Sequence, residues 1–144
     1  MAERRIIMLS LVERGWQAAR ECSLDVQQQG ISVVHLIKGY VAPEVRALIT
    51  PYSHIQVVSV PRELFWPFAW LYCAGLMLTG RLRCILVDRE RSLGRVRNWL
   101  WRSGVSLVMV QEGRHGYELC RDRQPLAQAA WYATLGIHEA CADL

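Results

Sequence analysis

Along the chain, short and nearly unbroken apolar runs alternate with stretches of helical period. The runs are "RIIMLSLV" (5–12), "ISVVHLIKG" (31–39), "HIQVVSV" (54–60), "RCILVD" (83–88) and "VSLVMV" (105–110). Their length, their β-branched content and the glycine, proline or charge that bounds them predict five buried strands. Between the first two, "RGWQAARECSLDVQQQG" sets Trp16, Ala19, Cys22 and Val26 on one helical stripe that stops at Gly30. "APEVRALIT" (42–50) predicts a short helix with Pro43 in its first turn. "RSLGRVRNWLWRSG" (91–104) places Leu93, Val96 and Leu100 opposite Arg91, Arg95 and Arg102. After a polar loop, "QEGRHGYELCRDRQ" (111–124), a last helix is marked by Leu126, Ala129, Ala130, Ala133 and Ile137. Strands apolar on both faces and separated by helices require a parallel sheet covered on both sides. The prediction is a Rossmann-like three-layer α/β sandwich with a mainly parallel five-stranded sheet, order 3-2-1-4-5. Residues 1–144 are expected to form a single domain, without repeat or linker in the sequence.

One helix departs from the amphipathic rule. "RELFWPFAWLYCAGLMLTGRLR" (62–83) carries no charge from Leu64 to Gly80. Those residues would span about 25 Å as a helix, short of a hydrocarbon core of about 30 Å. A span there would also put the third and fourth strands on opposite sides of the bilayer. Two readings remain. A helix apolar all round calls for cover on every side, which makes it a crossover helix buried in the fold. Alternatively, Phe65, Trp66, Phe68 and Trp70, flanked by Arg62, Arg81 and Arg83, form a surface that docks onto a membrane or a second subunit.

Composition narrows the class. Apolar residues make up 52% and charged residues 21%, a globular balance. The net charge of +4 is too small to argue for nucleic acid, so no nucleic-acid partner is expected. Arginine supplies nearly all the positive charge, and Lys38 is the only lysine. Arginine suits forked contacts to phosphate or carboxylate, although genome composition produces the same bias. The five cysteines, Cys22, Cys73, Cys84, Cys120 and Cys141, form neither a C-x-x-C pair nor a zinc pattern, so no metal is expected. They read as small apolar residues of a reducing compartment. The first apolar run ends at Glu13 without a small-residue cleavage site, so it reads as a strand and not a signal peptide. The expected location is cytoplasmic, peripheral on the membrane if the aromatic helix docks there.

In an open sheet of order 3-2-1-4-5, ligands bind beyond the carboxyl ends of the strands, where the order reverses between strands one and four. The segments gathered there supply Ser10, Glu13, Arg14 and Gly15, then Asp88, Glu90 and Arg91, then Glu112, Gly113 and His115. His115 between two glycines is the candidate general base, with Glu112 to orient it. The competing reading is an exposed loop histidine beside a solvated turn acid. Arg91 and Arg95 near a helix start could hold a phosphate, or line a solvated face. There is no G-x-G-x-x-G after the first strand, no P-loop, no G-x-S-x-G and no H-E-x-x-H, so no cofactor is expected.

The succession of a strand, "ERGW", a helix, "VVHLIKG", a long apolar helix, "CILVD" and "VSLVMVQEG" resembles the N-terminal, acceptor-side half of GT-B glycosyltransferases. The resemblance covers almost the whole chain and rests on pattern, without an invariant motif. It implies that Glu13–Gly15 form the first acceptor loop and that Glu112–His115 face an interdomain cleft. It also implies that the nucleotide-sugar site lies in a second half, so that this domain or subunit is inactive alone. The expected partners are that second half, a membrane surface or another copy of the chain. The alternative is a non-catalytic Rossmann-like interaction module that dimerises or binds a partner through helix 62–80.

Overall fold

A computed structural model describes residues 6–13, 16–39, 43, 47, 54–100, 105–113, 117–121 and 124–135. In chain order these form β1 (Ile7–Val12), α1 (Trp16–Gln27), β2 (Ser32–Lys38), β3 (Ile55–Val60), α2 (Phe65–Thr79), β4 (Leu82–Val87), α3 (Glu90–Trp99), β5 (Ser106–Gln111), β6 (Glu118–Arg121), β7 (Gln124–Pro125) and α4 (Gln128–Thr134). A 3-10 turn, Arg62–Leu64, leads into α2. The sheet has the order β3-β2-β1-β4-β5-β6-β7, with β1 to β5 parallel and β6 and β7 antiparallel. This is the expected Rossmann-like α/β sheet with two further strands. They lie in and at the end of the expected polar loop, and carry no strand pattern because β6 buries only Leu119 and β7 is two exposed residues long. The helix expected over 42–50 lies outside the described residues except for Pro43 and Ala47, which are helical.

Side chains alternate across the strands and build one core layer on each face. Toward α1 point Met8 and Val12 of β1, Val33 and Ile37 of β2, and Val108 and Val110 of β5, packed with Ala19, Cys22, Val26 and Trp131. Toward α2 and α3 point Leu9, Leu11, Val34 and Leu36, packed with Phe65, Ala69, Cys73 and Val96. The order of the sheet reverses at β1, with β2 and β3 on one side of it and β4 and β5 on the other, which makes the crevice between β1 and β4 the switch point.

The composition of α2 and its cover do not match. Phe65, Ala69 and Cys73, spaced one turn apart, are its only buried residues. Leu64, Phe68, Trp70, Leu71 and Leu78 stand exposed, Leu78 to 89%. The helix is thus a core element on one side and an open apolar surface on the other. It ends because Gly80 takes the left-handed conformation (φ 71°) and donates its N–H to the Met77 carbonyl at 3.1 Å. Among the described residues no helix is long and apolar enough to cross a membrane.

Candidate functional site

The parallel register brings four strand ends to one level. Val12 pairs with Ile37, Lys38 pairs with Val60, and Leu11 pairs with Val87. The residues that follow, or close, these strands are Glu13, Lys38, Arg62, Asp88 and Arg89, and they meet at the switch point. The backbone N–H of Glu13 donates to both carboxylate oxygens of Asp88, at 3.0 and 3.1 Å, which fixes the loop after β1 to the loop after β4. The Glu13 side chain is turned inward, 6% exposed. Its carboxylate accepts a hydrogen bond from the Ser92 hydroxyl at 3.2 Å and lies 3.6 Å from Lys38 Nζ and 3.8 Å from Arg89 Nε.

Around this carboxylate lies a basin of two adjoining lobes, each of about 210 Å³. Both include Glu13, Lys38 and Arg89; Arg62 closes one, while Trp66, Arg91 and Arg95 line the other. Among the described residues, five cationic side chains therefore line the basin with the Glu13 carboxylate, and the Asp88 carboxylate lies next to it. Trp66 is half-buried, edge-on to Phe65 at 5.1 Å and to Trp99 at 5.8 Å, and the Arg95 guanidinium lies 4.6 Å above its ring. That stacking holds a charge over the basin without neutralising it. Arg62, Arg91 and Arg95 have no carboxylate partner among the described residues. The first turn of α3 opens at the same end, with its positive dipole end toward the basin and no side-chain cap from Arg89. Chemically, the arrangement attracts and orients an anion.

Of the residues expected at the site, Glu13, Asp88 and Arg91 come together here. Ser10 does not reach the strand end: it is buried within β1, beside His35 in register, and its hydroxyl has no partner among the described residues. Glu90 is exposed in the first turn of α3 and does not line the basin. Glu112 is exposed after β5, and Gly113 packs against the Glu118 side chain, both away from the basin. Arg14, Gly15 and His115 lie outside the described residues. Of the aromatic surface, Phe68 and Trp70 are exposed, Trp66 is shared with the basin, and Phe65 is fully buried in the core. Arg95, expected with Arg91 as a phosphate contact, also lines the basin, whereas Lys38, Arg62, Arg89 and Ser92 were not anticipated at the site. The signal for Lys38 and Arg62 was available in the sequence, since each is the first charge after an apolar strand.

A larger cavity, about 580 Å³, lies along β6 and β7, lined by Asp25, Gln111, Tyr117, Glu118, Leu126 and Trp131 among others. There the Tyr117 hydroxyl donates to Asp25 at 2.6 Å. Burial, then this bond, push the phenol well above its ordinary pKa, so Tyr117 is a fixed structural donor there. Comparison of the chain with protein-family models, curated proteins and solved structures found no match.

Proposed function

We propose that this chain is the acceptor-binding domain of a glycosyltransferase-like enzyme that works at a membrane surface. A second α/β half, in the same or another chain, would bring the nucleotide sugar. The supporting observation is that the switch-point basin adjoins the open side of α2. Arg62 and Trp66 line the basin, while Leu64, Phe68 and Trp70, their neighbours on the turn and helix, stand in solvent. An amphiphilic acceptor could thus leave its apolar part in the bilayer and present its polar part at the strand ends. A sugar-transfer step needs donor and acceptor atoms about 3–3.5 Å apart, so the donor half would have to close over this crevice.

Charge favours a membrane as the cover for α2. Arg62 precedes the helix, and Arg81 and the exposed Arg83 follow it. Anionic lipid complements those three arginines, of which exposed Glu63 offsets only one. In flotation with anionic vesicles the wild type should rise with the lipid, and Trp70→Glu and Leu71→Glu should stay behind with an unchanged circular dichroism spectrum. A wild type that ignores vesicles and sediments as a dimer, dissociated by the same substitutions, would establish the interaction-module reading instead.

A further inference from the structure

The geometry points to the switch-point basin as a diphosphate site. The inference rests on the reading of this crevice as the acceptor site, and it names the chemistry recognised there. Two features select the ligand. The first is charge: among the described residues five cations line the lobes against the Glu13 carboxylate and the adjacent Asp88, an excess that a single carboxylate ligand would not neutralise, whereas a diphosphate carries two phosphoryl groups and several acceptor oxygens. The second is shape. The two lobes share Lys38 and Arg89, and each has its own arginine supply, Arg62 in one and Arg91 with Arg95 in the other. Two linked phosphoryl groups, one per lobe and bridged over the shared pair, satisfy that layout.

Glu13 has a definite part in this. At 3.6 and 3.8 Å from Lys38 and Arg89 it is close enough to hold them in place, yet beyond hydrogen-bond distance. The N–H groups of both cations remain available to a ligand. Ser92 holds the carboxylate from α3, so the buried acid is a fixed strut under the cations.

The test uses the full chain and inorganic pyrophosphate in solution, followed by calorimetric titration and thermal unfolding. Pyrophosphate should bind and raise the melting temperature, and should bind at least about tenfold more tightly than inorganic phosphate, as expected for added charge-assisted bonds. Arg62→Gln and Arg91→Gln, both at exposed side chains that leave the core untouched, should each weaken binding about tenfold or more. Arg97→Gln, on the same helix but off the basin, should leave affinity unchanged. No binding by the wild type, or equal losses in all three variants, overturns the inference. Farnesyl diphosphate in neutral phosphatidylcholine vesicles separates the sources of the group. A lipid headgroup ligand should bind there more tightly than free pyrophosphate, and Trp70→Glu should remove that gain while leaving the soluble binding intact. A free diphosphate ligand would show no such gain. Failure with pyrophosphate beside successful vesicle flotation would sink the diphosphate site and leave the membrane reading standing; the reverse result would do the opposite.

Discussion

Replacing His35 by leucine should flatten the dependence of stability on pH. His35 sits in the middle of β2, fully buried, in the layer that faces α1. Burial holds its imidazole down to about 3, from an ordinary 6.5. Between those values the unfolded chain takes up a proton that the folded chain refuses. Stability from this residue is therefore complete above pH 6.5 and falls as pH drops toward 3. At pH 5 the unfolded histidine is about 1.5 pH units below its own pKa, which at about 1.4 kcal/mol per unit amounts to about 2 kcal/mol. For a chain of this length that is a loss of about 4–8 °C in melting temperature. Urea unfolding of the wild type and His35→Leu at pH 7 and pH 5 measures the quantity directly. The wild type should lose about 2 kcal/mol more than the variant across that interval, whatever the variant's stability at pH 7. Carboxylates common to both proteins cancel in the comparison. Parallel pH profiles would refute the reasoning, because they would mean that His35 protonates as easily in the fold as in water.

Three further outcomes follow from the geometry. Glu13→Gln leaves Lys38 and Arg89 without their counter-charge, so the free protein should melt lower. The same variant should bind pyrophosphate more tightly, by about 1–3 kcal/mol for a unit charge removed roughly 5 Å away, read by titration calorimetry. Gly39→Ala should cost about 1–2 kcal/mol in urea unfolding, because Gly39 has φ 96°; the new Cβ also lies 3.4 Å from Arg62 Nε, so pyrophosphate affinity should change with it. Burial raises the Cys73 thiol to about 11 and pushes Cys22 and Cys84 up as well. These three should resist a disulfide reagent at pH 8 in the folded protein and react after urea is added, as counted by peptide mass spectrometry.

The central strands were legible because their apolar runs are unbroken, and the parallel order followed from them. Burial on both faces leaves no polar alternation to confuse the pattern in "IMLSLV" or "LRCILV". The edge of the sheet was hidden for the opposite reason: in "ELCR" a single buried leucine carries no periodicity. At the site, attention to the strands that flank the switch point found Glu13, Asp88 and Arg91. It missed Lys38 and Arg62, which come from the ends of β2 and β3, because a level register brings four strand ends together and not two. The reading of α2 left open whether its apolar circumference was covered. Only the three-dimensional arrangement answers that, since the sheet and α3 cover one side of the helix and leave Trp70, Leu71 and Leu78 open.

The single lysine of the sequence sits inside the basin, 30% exposed, beside the buried acid. An amine-directed acylating reagent therefore has one side-chain target in the whole chain, and that target is at the switch point. One added acyl mass on the peptide carrying Lys38 becomes a readout of whether the crevice is empty or filled. Protection of that amine, titrated against any candidate molecule, maps occupancy without a mutation, a fluorophore or a known reaction.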